Sequence, residues 1–189
     1  MLYRLNLKFP FAIFVLANMS IPIFVRAQKP TNNNFSFEEL NNLRQPVGWQ
    51  VNWGHQNDGY IVQIDSLIKH DGKYSLKIEK ISGERNFGGC AMIIPANFTG
   101  KKLILSGFIK ADKVSGGLAG IALRIDDANM NILQFDNMKG RSIQGSTNWT
   151  EYTIALPYDA EKAKSITLGA SLTGSGTIWV DELKLIAAD

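Results

Sequence analysis

Short segments in which apolar and polar residues alternate recur about every ten residues from Phe35 to the end of the chain. Alternation with a period of two places successive side chains on opposite faces of a β-strand, so each segment predicts a strand with one face in a core. In KYSLKIE, for example, Tyr74, Leu76 and Ile78 point to one side. The same pattern predicts strands at GYIVQID, KLILSGFIK, GIALRID, ILQFD, EYTIAL and SITLGA.

Turn-forming residues separate these segments, among them Asp71-Gly72, Gly116-Gly117 and 174–176. Residues 158–165 are able to form one helical turn but are too few for a packed helix. Strands at this spacing, with no long helical period between them, predict an all-β fold. We expect two antiparallel sheets packed face to face, a β-sandwich of the jelly-roll or a related type.

The N-terminus has the composition of a signal peptide. Arg4 and Lys8 accompany an apolar run, and small residues precede a cleavage point after Ala27, so we predict a signal peptide over 1–27. A single-pass anchor is the alternative, but the run is near the minimum spanning length of about 17 residues and polar residues interrupt it. We therefore expect an exported protein, periplasmic or extracellular, with no membrane segment after cleavage.

The remaining residues are predicted to form a flexible spacer at 28–34 and one β-sandwich domain at 35–189. The whole chain has twenty basic and seventeen acidic residues. Arg4, Lys8 and Arg26 belong to the predicted signal, which leaves seventeen residues of each sign and no net charge. Without a basic field or patch, nucleic acid is not an expected partner.

The residue inventory predicts a protein that is not an enzyme. His55 and His70 are the only histidines, neither accompanies a G-x-S-x-G motif, and zinc would lack nitrogen and sulfur ligands. Asp126, Asp127 and Asp136 flank one hairpin and could form a glycosidase pair, but we interpret them as solvated turn residues.

Cys90 is the only cysteine, so the chain can form no internal disulfide. The surrounding segment GGCAMII is apolar and has no basic partner for a thiolate. We therefore predict that Cys90 is a small buried hydrophobic residue.

Acidic residues near both ends of the domain suggest a calcium site. A sandwich brings its first and last strands together, which would place Glu38 or Glu39 near Asp181. Calcium binds carboxylate and carbonyl oxygens, and the turn around Lys73 could supply backbone carbonyls. The alternative is that these acids face water or pair with a lysine.

The strand pattern also predicts a recognition surface. If Ile125 and its neighbours at 121 and 123 face the core, Arg124 faces outward. With Leu133 and Phe135 placed inward on the next strand, Gln134 and Asp136 also face outward.

Trp149 takes the face opposite Tyr152 and Ile154 in NWTEYTIAL. An aromatic ring can stack on the apolar C–H face of a sugar while planar polar groups contact the hydroxyls. We therefore predict weak glycan binding by Arg124, Gln134, Asp136 and Trp149. Trp53, with Trp49, could form a second platform or a rim, although the core is the favoured position for Trp49.

The late block GLAGIALRIDD…LQFDNMKGRSIQGSTNWTEYTIALPYDAEKAKSITLGASLTGSGTIWVDELKL resembles a galactose-binding-like jelly-roll domain. Such domains, similar to carbohydrate-binding modules, occur at the N-terminus of exported bacterial hydrolases such as erythromycin-esterase-like and tail-specific peptidase proteins. The early FSFEEL…PVGWQ…DGKYSLKI looks like the opening of the same domain, so the resemblance covers Phe35 to Ile186.

The resemblance implies a β-sandwich and a structural calcium ion held by Glu38, Asp181 and carbonyls of the turn that includes Lys73. It leaves the ligand open, because these domains include glycan binders and domains that dock a catalytic neighbour. A hydrolase partner is therefore the alternative to glycan binding. No hydrolase follows Asp189 in this sequence, so the domain either acts alone or is separated from its enzyme.

Overall fold

The computed structural model describes residues 33–51, 59–83 and 87–189. The predicted signal peptide, Trp53 and His55 lie outside the described residues. Ten strands occupy the described ranges: β1 (Gln50–Val51), β2 (Tyr60–Asp65), β3 (Ser75–Lys80), β4 (Gly88–Pro95), β5 (Lys102–Ser115), β6 (Ala119–Asp126), β7 (Ile132–Asp136), β8 (Gly145–Pro157), β9 (Ser165–Leu172) and β10 (Ser175–Ala188).

The strands form two five-stranded antiparallel sheets. The first sheet has the order β1-β4-β9-β6-β7, and the second has the order β2-β3-β10-β5-β8. From β4 onward the chain passes repeatedly from one sheet to the other, which joins the two layers. The predicted all-β, two-sheet antiparallel fold is confirmed.

The core lies between the sheets and follows the predicted alternation. Leu103, Leu105 and Ile109 on β5 are fully buried, as are Leu76 and Ile78 on β3. Each of these aliphatic side chains contributes about 1.5–3 kcal/mol when it leaves water. The inward side chains of alternate positions therefore supply the main force that holds the sheets together.

The domain begins earlier than predicted. Asn34, which the prediction placed in the flexible spacer, is buried. Its side-chain amide donates to the carbonyls of Glu39 and Val47 at 2.8 and 3.0 Å, and its own carbonyl accepts the indole N–H of Trp49 at 2.9 Å. Asn34 thus organises the first turn of the domain, and Trp49 is a core residue that packs on Phe37.

Two connections between strands were predicted as turns, one between β8 and β9 and one between β2 and β3. Residues 158–164 connect β8 to β9 through a single turn, in which the amide of Ala163 donates to the carbonyl of Asp159 at 2.9 Å. Asp71-Gly72 separates two strands as predicted, but it lies within a nine-residue connection between β2 and β3, here called loop 66–74. Among the described residues, no helix is long and apolar enough to cross a membrane.

Candidate functional site

The outer face of the first sheet carries a row of side chains that spans four strands. The strand register aligns Ile93 on β4 with Thr167 on β9, then Arg124 on β6 and Phe135 on β7. We call these four residues the Arg124 row. Both ends of the row are open to solvent, because Ile93 and Phe135 are 52% and 51% exposed.

The next row toward the other end of this face consists of small residues. Ala91, Gly169 and Ala122 are aligned across β4, β9 and β6. No long side chain from these positions stands beside the Arg124 row. Ala91 and Gly169 are themselves buried, so only the half-buried Ala122 leaves space for a ligand beside Arg124 and Phe135.

Arg124 is held in one orientation by its neighbour Asp126. Its Nε lies 2.7 and 2.9 Å from the two carboxylate oxygens of Asp126, and its Nη2 lies 2.7 Å from Oδ1. Nη2 also donates to the carbonyl of Met130 at 3.3 Å. The Nη1 atom takes no partner among the described residues, so a fixed guanidinium edge remains for another acceptor.

Gln134 and Asp136 do not join Arg124 on the outer face, which corrects the prediction. The register places Gln134 opposite Ile125 and Asp136 opposite Leu123, both core-facing residues. The cause is an irregularity in the β6–β7 register that leaves Leu133 without a partner, because one extra residue reverses the alternation beyond it. Leu133 packs on the core as predicted, but Phe135 points outward.

Asp136 has a structural partner instead. Its carboxylate pairs with the guanidinium of Arg141 and accepts the amide of Met138 at 2.6 Å. Arg141 also donates to the carbonyl of Thr153 on β8 at 2.9 Å. Asp136 and Arg141 therefore link the edge strands of the two sheets. Within the described residues, Asp136 forms no hydrogen bond or ion pair with Arg124.

Trp149 lies on the outer face of the second sheet, away from Arg124. Its ring meets the edge of the His70 ring, with centroids 5.6 Å apart, and His70 stacks on Phe108 at 3.8 Å. The Nδ1 atom of His70 pairs with the Glu182 carboxylate. The predicted binding residues are therefore divided between opposite faces, and Trp53 lies outside the described residues.

Loop 66–74 covers part of the same outer face and is attached through Asp181. One carboxylate oxygen of Asp181 accepts the amides of His70 and Asp71 at 2.8 and 3.2 Å, and the other accepts the amide of Glu182 at 2.7 Å. Asp181 is 0% exposed. Burial raises its pKa above the ordinary value and outweighs the amide hydrogen bonds, which lower it.

Glu38 and Asp65 contact the same loop. Glu38 accepts the amides of Lys73 and Tyr74 at 2.9 and 3.1 Å. Asp65 accepts the amides of Leu67 and Ile68 at 2.7 and 3.1 Å. Its other oxygen accepts the indole N–H of Trp179 at 2.9 Å. The two ends and the middle of the loop are thus each bound to a carboxylate.

The predicted calcium ligands lie around this loop, but the loop presents backbone N–H groups to them, and N–H groups do not bind a cation. Lys73, expected to present its carbonyl, presents its amide N–H to Glu38. Asp181 likewise faces two amide N–H groups of the loop. Within residues 33–51, 59–83 and 87–189, no three His, Cys, Asp or Glu residues are grouped to hold a metal ion. The arrangement therefore fits carboxylates that bind backbone amides better than it fits calcium.

Cys90 behaves as predicted. It is 2% exposed, on the core side of β4, and burial raises the pKa of its thiol to about 12.

The sequence analysis missed three aromatic residues of the outer faces. Phe135 was missed because of the register irregularity in β7. The stacked rings of His70 and Phe108 were missed because they join a loop to a distant strand. Only the alternation of β5 could have indicated that Phe108 faces outward.

Comparison with known proteins finds a curated sequence relative and solved structures with a similar fold. No family model matches the chain. A curated protein of Bacillus subtilis (strain 168), the uncharacterized HTH-type transcriptional regulator YbfP, is 35% identical over 149 residues. The match covers 77% of this chain and 50% of that protein, so the chain spans about half the length of this relative.

Solved structures share the architecture at low sequence identity. The CBM22-1 xylan-binding domain of Paenibacillus barcinonensis Xyn10C has a TM-score of 0.53 and 18% identity, with 80% of this chain and 90% of that chain covered. TmCBM61 in complex with β-1,4-galactotriose has a TM-score of 0.52 and 14% identity, covering 82% and 95%. The chain has the β-sandwich fold of these modules.

A further structural match comes from an enzyme. The active domain of bacteriophage CBA120 tailspike protein 4 has a TM-score of 0.59 and 12% identity. The match covers 81% of this chain but only 20% of the tailspike chain. It therefore supports the same fold and carries no argument about catalysis.

Proposed function

We propose that this chain is an exported, non-catalytic module that binds glycan weakly on the outer face of its first sheet. The observation that carries the proposal is the Arg124 row, in which an exposed aromatic ring and a fixed guanidinium lie beside the small, half-buried Ala122. Phe135 offers an apolar face to a sugar ring, and Arg124 offers N–H donors to its hydroxyl groups. The shared fold of the xylan-binding and galactotriose-bound modules supports this proposal.

The affinity is expected to be low, because one ring and one guanidinium contribute few contacts. We expect dissociation constants between about one micromolar and one millimolar, where the upper value corresponds to about −4 kcal/mol. Affinity gel electrophoresis against a panel of neutral and acidic polysaccharides would detect binding in this range.

The experiment compares variants on the two outer faces. Phe135→Ala and Arg124→Ala should each abolish the retardation of the protein by the glycan that retards the wild type. Trp149→Ala is the matched control, because Trp149 lies on the opposite face. Loss of retardation in Trp149→Ala alone would move the site to the second sheet. If no glycan retards the wild type, the proposed function is wrong.

A second candidate is an accessory domain that serves a neighbouring domain or partner. The observation in its favour is that the related region makes up half of the Bacillus subtilis regulator, so this sandwich also occurs within a longer protein. A hydrolase partner remains a prediction from the resemblance. Reading the DNA beyond codon 189 for an esterase or peptidase, and testing co-purification with the encoded product, would examine this candidate.

Export remains part of the proposal. N-terminal sequencing of the mature protein should begin at Gln28, and cell fractionation should place the protein outside the cytoplasm. A cytoplasmic protein that retains Met1 would contradict the proposed signal peptide and would favour the accessory role in a longer protein.

A further inference from the structure

We propose that Glu38, Asp65 and Asp181, here called the acid set, attach loop 66–74 to the outer face of the second sheet without a calcium ion. Six of the nine loop amides donate to the acid set. They are the amides of Leu67, Ile68, His70, Asp71, Lys73 and Tyr74.

The direction of these hydrogen bonds distinguishes an acid set from a metal site. Calcium takes six to eight oxygen ligands, and backbone carbonyls commonly supply several of them. Here the loop turns the positive ends of its amide dipoles toward the carboxylates. Hydrogen bonds from amides to a charged carboxylate are stronger than those between neutral groups, so they can supply the attraction that a cation would otherwise provide.

Gly72 shows how closely one carboxylate approaches the loop. Its φ is +61°, a left-handed conformation that glycine adopts readily. A Cβ at this position would collide with the Glu38 carboxylate. Glu38 therefore lies directly against the loop backbone, where a bound ion would need to separate the two.

The attached loop has two effects on the second sheet. It encloses Asp181, whose carboxylate accepts the amides of His70 and Asp71. It also places the His70 ring on Phe108 and beside Trp149. The acid set thus determines the structure of this face, with the loop serving as its cover.

Amide hydrogen exchange measured by NMR in the presence of EDTA tests the proposal residue by residue. In the wild type the six amides should remain protected in EDTA. Glu38→Gln should accelerate exchange at least tenfold at Lys73 and Tyr74 while His70 and Asp71 stay protected. Asp181→Asn should give the reverse pattern. Asp127→Asn is the control, because its carboxylate binds the amides of a turn outside the loop.

Removal and addition of calcium test the opposite hypothesis, that the loop is held by a calcium ion. Two results would show that the acid set is a calcium site. One is faster amide exchange throughout the loop when EDTA is added. The other is a higher melting temperature of the wild type, but not of Glu38→Gln, in 1 mM calcium (about a typical extracellular-module Kd). If neither variant changes exchange in the loop, the carboxylates do not hold it. Should Asp181→Asn fail to fold, Glu38→Gln alone decides, because Glu38 is only half-buried and less critical to the core.

Discussion

The outer faces of the two sheets each bury one carboxylate, but they use it differently. Asp126 on the first sheet is 4% exposed and binds the side chain of Arg124. Asp181 on the second sheet is 0% exposed and binds the backbone of loop 66–74. The first face consequently keeps a partly exposed guanidinium and an exposed ring, whereas the second face is partly covered by loop 66–74.

This difference shows that a buried acid within a strand is weak evidence for chemistry. A carboxylate bound to a side chain leaves that side chain oriented for a ligand. A carboxylate bound to several backbone amides satisfies groups that would otherwise be unpaired, which is a structural role. We therefore assign recognition to the face of Asp126 and architecture to the face of Asp181.

The largest expected effect is on stability and compares the two acids directly. Asp181→Ala leaves three amides without their acceptor in a buried site, and we expect a loss of about 3 kcal/mol in the free energy of unfolding. Asp126→Ala frees Arg124, which is partly exposed and can hydrate, so we expect a loss of about 1 kcal/mol. Urea unfolding at pH 7 (about neutral, where carboxylates are ionised) measures both. Equal losses in the free energy of unfolding would contradict the assignment of a structural role to Asp181 alone.

The second effect concerns ligand access to the first face. Ala122 is half-buried in the small-residue row beside Arg124. Ala122→Trp should occupy the space beside Arg124 and weaken glycan binding at least tenfold. We expect a small change in melting temperature, because the side chain at this position points away from the core. The measurement is affinity electrophoresis with the glycan that retards the wild type.

The matched control for this variant is Ala155→Trp, which adds the same side chain to an exposed position on β8. Ala155 belongs to the second sheet, so its replacement should leave binding unchanged. Weakened binding in Ala155→Trp with normal binding in Ala122→Trp would reverse the assignment of the two faces.

Much of the fold could be predicted from alternation, because residues such as Leu105, Ile109 and Ile154 must all leave water together. The outward position of Phe135 could not be predicted from the alternation. A register irregularity at Leu133 depends on how β7 pairs with β6, and a single residue out of register exchanges the two faces of the strand. Gln134 and Asp136 were assigned to the wrong face for this reason.

The acidic residues illustrate a second limit. The sequence correctly indicates that Glu38 and Asp181 meet the turn near Lys73, since the ends of a sandwich domain lie together. It does not indicate whether that turn presents carbonyls or amides. Rotation of a few peptide groups decides this, and no side-chain pattern records it.

A smaller effect is expected in the pH dependence of stability. Burial alone would raise the pKa of Asp65, but the Trp179 indole N–H, the amides of Ile68 and Leu67 and the charge of Lys77 together hold the pKa below its ordinary value. The folded state therefore favours the carboxylate. The resulting stability is present above the unfolded pKa of about 3.9 and is lost as pH falls through the lower folded pKa.

Asp65→Asn tests this sign. The melting temperature of the wild type should exceed that of the variant at pH 6 (well above the Asp pKa of about 3.9), and the difference should shrink as pH falls to about 3. Glu161→Gln, in an exposed turn, is the control and should show the pH dependence of the wild type. A difference that grows on acidification would mean that Asp65 is not a stabilising carboxylate of the second face.

The smallest expected effect is the absence of a reaction at Cys90. Its thiol lies on the core side of the first sheet, and burial raises its pKa to about 12, so little thiolate forms in the native state. A thiol reagent at pH 8 (about half a unit below the free-thiol pKa of about 8.5) should label the protein only after unfolding. Asp181→Asn should leave the labelling rate unchanged under native conditions, because detachment of loop 66–74 disturbs the second sheet without opening the first. Faster labelling in this variant would show that the two sheets open together. The proposed independence of the covered second face and the recognition face would then be wrong.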